Sequence, residues 1–211
     1  MRRAAPGCTS RGRRYNPAML GQPDRERYLA QLAGYLGAHR VQHSLNVAEA
    51  AVALALAHAP ELAERAELAG LLHDNAKRLS AAQLIEQAQR FDIEVTPVER
   101  QWPMLLHGKV GAALLAERFG VTDGLVRTAV ARHVTGQPNM DTLSCILFVA
   151  DQVAADRDFE GIAELRQVAP ANLARAVLMV SRFKLLYAVQ RGRLVEPATV
   201  AVYNEYLSRG V

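Results

Sequence analysis

The sequence is poor in cysteine and in long apolar runs, and each shortage excludes something. Cys8 and Cys145 are its two cysteines, with no spacing that suggests a disulfide framework or a zinc site. Cys145 stands in an apolar stretch and reads as a small buried hydrophobe, which fits a cytoplasmic setting. The apolar run through Ala51–Ala57 ends at His58, well short of the roughly 20 residues a bilayer span needs. No membrane span is therefore expected. No glycine-rich phosphate loop ending in Gly-Lys-Ser or Gly-Lys-Thr is present, which argues against an ATPase of that class.

Acidic residues are missing from positions 1–23, which carry Arg2, Arg3, Arg11, Arg13 and Arg14. From Asp24 onward there are 20 basic residues against 21 acidic ones, so the net charge of +4 belongs to this short stretch. Rich in Gly, Pro, Ser and Arg and without apolar periodicity, residues 1–23 are expected to form a disordered basic arm. An alternative is that translation starts at Met19. The arginines are followed by no apolar segment of the kind a secretory signal needs. Five arginines are also too few to imply a specific nucleic-acid partner.

What remains is ample for one core. Half of the 211 residues are hydrophobic and 22% are charged, so residues 24–211 are expected to fold as one domain. Alanine and leucine dominate, β-branched runs are few, and the spacing predicts an all-α fold, a single compact multi-helix bundle. Helices are expected at 24–37, 40–58, 61–73, 80–90 (capped by Ser80), 109–119 (ended by Gly120), 122–133 (capped by Thr122), 142–155, 170–190 (opened by Pro170) and 197–207. Residues 91–95 read as loop.

The informative residues are polar ones on faces that should be buried. His43 shares a stripe with Val47, Ala50, Ala51 and Leu54. His133 follows Val126, Ala129 and Val130 at helical spacing. Asp151 shares a face with Leu143, Leu147, Phe148 and Ala154, and no basic residue lies at i±3 or i±4 to pair with it. His73 and Asp74 end a helix whose inner face is Ala66, Ala69 and Gly70. One inward histidine is ordinarily a hydrogen-bonded core residue, and one carboxylate can find a distant arginine. Several together, with two carboxylates, are what a metal site requires. His39 and His58 lack such company and read as surface residues.

In order, His43, the doublet His73-Asp74 and Asp151 give H…HD…D, which resembles the signature of the HD-domain metal-dependent phosphohydrolases. The surrounding segments are Arg40-Val-Gln-His-Ser-Leu-Asn-Val-Ala, Ala69-Gly-Leu-Leu-His-Asp-Asn-Ala-Lys77, Leu106-His-Gly-Lys-Val-Gly-Ala, His133-Val-Thr-Gly136 and Ala150-Asp151 through Arg157. Together they resemble the HD-domain symmetrical bis(5′-nucleosyl)-tetraphosphatases of the YqeK type, over about residues 24–208. One departure is visible: the family usually places an acidic residue and a proline where this chain has Ala154 and Ala155.

The resemblance implies an HD-domain bundle and an enzyme that cuts diadenosine tetraphosphate in the middle to give two ADP. It implies His43, His73, Asp74 and Asp151 as ligands of a first-row metal, iron in the first place, with manganese or cobalt as alternatives. Mixed nitrogen and oxygen donors with open positions suit such an ion. Asp74 or Asp151 could also orient the attacking water. Lys77, three residues after Asp74, and His107 and His133 are expected at the substrate phosphates or the leaving group. Gly108 and Gly111 would let the backbone near His107 approach substrate, at the N-terminus of a helix starting near Lys109. Arg157 would clamp a phosphate. Asn46, Gln152 and Leu194, Val195, Glu196, Pro197, Ala198 and Thr199 would border the nucleotide. A second metal held by the extra histidines, a different HD nucleotide or cyclic-dinucleotide phosphohydrolase, a non-catalytic nucleotide-binding HD module and a homodimer are left open.

Overall fold

Helix α8 (Thr142–Val153) is the centre of the molecule, because every residue from Leu143 to Asp151 is buried. A helix apolar on all sides must be wrapped on all sides. Around it pack α2 (Ala38–His58), α3 (Ala63–Leu72), α7 (Gly124–Arg132) and α10 (Leu173–Gln190). Helices α1 (Gln22–Tyr35), α4 (Ala81–Arg90), α5 (Pro97–Gln101), α6 (His107–Phe119), α9 (Ile162–Val168) and α11 (Pro197–Ser208) complete the bundle. The computed structural model describes residues 20–211, and no strand occurs among them. The expected disorder of the basic arm falls on residues that lie, apart from its last few, outside the described ones; Gln22 and Pro23 already belong to α1. None of the described helices is long and apolar enough to cross a membrane.

Local chemistry sets the helix ends. Ser80 and Gln83 form a reciprocal capping box on α4, and Thr96 and Glu99 form another on α5, with Pro97 in the first turn. Asp123 accepts from the backbone of Leu125 and Val126, so it caps α7, one residue beyond the expected Thr122. Asn172 caps α10, and Pro170 lies in the turn before it. Two helices were not expected. α5 and α9 have five and seven residues, too few to show a period. Helix α6 begins at His107, not Lys109, because the 3-10 turn Pro103–Leu106 runs into it through helical backbone at Leu106. The helix start therefore lies at His107 itself, two residues before Lys109.

Three glycines bring helices close. A Cβ at Gly70 would sit 2.6 Å from the Ala48 Cα, so α3 packs backbone to backbone on α2. At Gly108 it would meet the Val134 side chain at 2.8 Å and the Val130 carbonyl at 3.1 Å, and at Gly111 the Asn75 side chain at 3.0 Å. Gly108 and Gly111 thus serve the packing of α6 on α7 and on the turn after α3, not the approach of substrate. A second, smaller core (Ala76, Leu84, Ala88, Leu106, Val110 and Leu114) fixes α4 and that turn against α6.

Candidate metal and phosphate centre

Five chain segments deliver buried polar groups to one place. His43 comes from the first half of α2, His73 and Asp74 from the turn directly after α3, His107 from the first residue of α6, His133 from the residue after α7, and Asp151 from the last turn of α8. All six are buried, none more than 7% exposed. The sequence placed five of these groups on inward faces and His107 near the substrate phosphates, and the fold brings all six together.

Three of the imidazoles are held by one device. The Nδ1 atoms of His73, His107 and His133 lie against the carbonyls of Gly70, Met104 and Val130, each three residues earlier. A carbonyl only accepts, so each Nδ1 carries the proton and each Nε2 turns a lone pair inward. His43 is fixed differently: its Nδ1 is 2.7 Å from Asp156 Oδ2, and Asn46 donates to the other Asp156 oxygen at 2.9 Å. Asp156 was missed in the sequence, where it lies past the helix among exposed residues and on no apolar face.

The inward atoms form two groups that share Asp74. His43, His73 and Asp74 can offer three donor atoms to one ion, and so can Asp74, His107 and His133. Asp151 Oδ1 adjoins the first group, 3.3 Å from His43 Nε2 and 4.0 Å from His73 Nε2. His73 Nε2 and Asp74 Oδ1 are buried and have no hydrogen-bond partner. An imidazole lone pair and a carboxylate oxygen, both buried and unpaired, are costly unless a cation binds there. The residues present therefore fit a metal ion. In the second group, His107 Nε2 lies 3.1 Å from Asp74 Oδ1 and 3.2 Å from His133 Nε2. Lys77 Nζ approaches His107 Nε2 at 3.0 Å and Asp74 Oδ1 at 3.6 Å.

Charge follows from this packing. Burial pushes the Asp74 carboxyl toward neutrality, but His73, His107 and His133 outweigh it and hold its pKa well below the usual range. Asp151 is likewise held low: burial opposes, and the His43 hydrogen bond and the Arg157 charge prevail. Burial lowers His107 and His133 and brings His73 to about 4, so these rings are neutral near pH 7, the form a metal requires. His43 is raised, because Asp151 outweighs the effect of burial. A bound cation would displace that extra proton.

Asp151 finds its partner beyond the i±3 and i±4 positions. Arg157, six residues on, reaches back through Nη2 to Asp151 Oδ1 and through Nε to its carbonyl at 2.8 Å. Arg157, expected to clamp phosphate, is thus engaged with Asp151. Arg40 lies 3.4 Å from Asp74 Oδ2. Asn46 is occupied by Asp156, and Gln152 donates to Asp151 Oδ2 at 2.9 Å.

A cleft of about 1310 Å³ opens beside the centre. It is larger than the roughly 300–1,000 Å³ of most small-molecule sites. Gln152, Arg157, Leu194, Val195, Glu196 and Thr199 line it, whereas Asn46, Pro197 and Ala198 do not. Glu196 accepts from Thr96 Oγ1 at 3.0 Å and Thr199 donates to the Thr135 carbonyl at 2.8 Å, so this stretch also ties α11 to the rest of the fold. His39 is exposed as expected, while His58 is half-buried and bonded to the Ala169 carbonyl.

An all-helical bundle converging histidines and aspartates on a buried centre is the architecture of metal-dependent phosphohydrolases of the HD class. The family model described as HD domain matches residues 40–156, and the chain belongs to that family. Its relatives narrow the class. A Halalkalibacterium halodurans protein named bis(5′-nucleosyl)-tetraphosphatase, symmetrical, is 32% identical over 188 residues, covering 87% of this chain and 97% of its own length. A Bacillus subtilis protein of the same name is 29% identical, over 88% of this chain and 98% of its own. The structure is also similar to a Clostridium acetobutylicum crystal structure described as a "predicted HD superfamily hydrolase involved in NAD metabolism". That match has a TM-score of 0.84 and 33% identity, and it covers 91% of this chain and all of the other.

Proposed function

We propose that this chain hydrolyses diadenosine tetraphosphate symmetrically, taking up one water and releasing two ADP. The observation that carries the reading is the pair of buried, unpartnered atoms, His73 Nε2 and Asp74 Oδ1, beside a cleft of about 1310 Å³. The names of the relatives support the substrate.

In this reading His43, His73, Asp74 and Asp151 hold one metal ion, with iron the first choice and manganese or cobalt the alternatives. When bound, the ion supplies Lewis-acid activation of water and neutralisation of phosphoryl charge. The chain does the rest. Asp156 keeps the His43 ring turned inward, and the Gly70 carbonyl does so for His73. Asp74 orients the water toward an inner phosphorus. Lys77 donates to the phosphoryl oxygens. The arriving phosphate charge favours protonation of Nε2 on His107 and His133, which are neutral in the free chain, and one of them gives that proton to the departing phosphate as the central P–O–P bridge breaks. Gln152, Arg157, Leu194, Val195, Glu196 and Thr199 border the nucleotide on the cleft wall.

The test is product identification. Diadenosine tetraphosphate incubated with the iron-, manganese- or cobalt-loaded protein is expected to yield ADP alone, with no turnover after chelation. ATP and AMP in equal amounts, or turnover of a cyclic dinucleotide with the tetraphosphate left intact, would overturn the assignment.

A further inference from the structure

Among the three lysines of the chain, Lys77 faces Asp74 and Lys109 is bonded to Glu99 at 2.8 Å. Lys184, in α10, is different. Its ammonium donates to the Val134 carbonyl at 2.8 Å and the His133 carbonyl at 3.4 Å, and it lies 4.8 Å from the Phe148 ring. It forms no ion pair among the described residues. Two carbonyls use two of its three N–H donors. Lys184 lines the cleft, as does Val134, next to His133. Burial lowers its pKa to about 8, yet the group still carries its charge near pH 7. A half-buried cation with Asp151 and Asp74 near enough to act on its charge, yet with no carboxylate at ion-pairing distance among the described residues, is met where an anion arrives to pair with it. Arg157, the neighbouring cation on that wall, is already matched by Asp151.

We propose that Lys184 is an anion-binding residue of the cleft, its free N–H and its charge taking a phosphate oxygen of the nucleotide polyphosphate on the His133–Val134 side. The proposal rests on the reading of the cleft as a nucleotide site, and it adds a recognition residue that no motif in the sequence marks. Lys184 sits on a long helix among Arg182, Phe183 and Leu185, where a lysine looks like one more solvated side chain.

The experiment measures dissociation constants of ADP, inorganic pyrophosphate and adenosine by calorimetry on the full chain. The wild type is compared with Lys184→Arg, Lys184→Gln and Lys184→Met, with thermal unfolding followed in parallel. Loss of a charged hydrogen bond weakens binding by about tenfold or more. Lys184→Gln and Lys184→Met are expected to lose about that much for ADP and pyrophosphate, to leave adenosine unchanged, and to keep their unfolding midpoints. Lys184→Arg is expected to recover most of the affinity. Unchanged ADP and pyrophosphate binding in Gln and Met would overturn the proposal. So would equal losses for ADP and adenosine accompanied by a lowered midpoint, since Lys184 would then be a brace for the end of α7. A wild type that binds neither ADP nor pyrophosphate would also overturn it. If pyrophosphate binds through Lys184 but diadenosine tetraphosphate is not cleaved, the anion site stands and the functional reading falls.

Discussion

On one side of Asp74 stand His43, His73 and Asp151, on the other His107, His133 and Lys77. The first side is rich in carboxylate: Asp151 faces two of the rings and Asp156 stands behind His43, and the cation there, Arg157, is paired with Asp151, its Nη2 lying 3.4 Å from His43 Nε2. The second side has an ammonium 3.0 Å from His107 Nε2 and, among the described residues, no carboxylate paired with it besides Asp74 itself. Both sides present imidazole lone pairs, so the histidines alone do not distinguish them. The neighbours do. A metal ion is favoured where negative groups accumulate and opposed where a lysine already points. The phosphate, being negative, has the reverse preference. In the proposed reading the same side chain serves two chemistries according to what stands beside it, with Asp74 as the hinge between them.

The largest expected effect comes from removing that hinge. Asp74→Ala should abolish turnover and strip the metal, because both groups lose their shared oxygen; elemental analysis and an ADP-release assay check this. Retention of both would separate Asp74 from the chemistry. His107→Ala and His133→Ala come next. Each should lower turnover by roughly 10²–10³-fold, the usual loss of one transition-state donor, while leaving the metal in place. Steady-state rates with product quantification read it.

Asp156→Ala probes the first side alone. Without Asp156 the His43 ring loses the group that fixes its tautomer, and outer partners of this kind are worth about 10–100-fold in metal affinity. Competition against a coloured chelator should show a loss in that range, with Asp156→Asn milder because the amide oxygen still accepts. Equal affinity in the alanine variant would mean that packing alone orients His43. Gly70→Ala has the smallest effect on chemistry and acts on the frame. Its new methyl would meet the Ala48 backbone, so α2 and α3 must part, at a cost of about 1–3 kcal/mol. Urea unfolding measures that cost, and an unchanged midpoint would show that the helices have slack.

Much of this contrast was legible in the sequence because it is written as polar residues on apolar stripes. His43, His133 and Asp151 fall on helix faces that only a core would explain, and the His73-Asp74 doublet stands at the end of a helix too apolar to be exposed. Sequence order then supplied the class. The all-α class was equally plain, since long Ala- and Leu-rich periods leave little room for strands. What periodicity could not supply was the company each group keeps. Asp156 looks like an exposed loop acid, Arg157 reaches six residues back to Asp151, and Lys184 acquires meaning from two carbonyls some fifty residues away. Short helices such as α5 and α9, and glycines that serve packing where substrate contact was expected, are invisible for the same reason: their cause is tertiary.

Metal stoichiometry tests the division at Asp74 most directly. The metal-free chain should take up one ion per molecule on titration with iron(II), manganese(II) or cobalt(II). His107→Ala and His133→Ala should also bind one, and Asp74→Ala none. Two ions in the wild type, falling to one in both histidine variants, would contradict the account and make the second side a metal site as well.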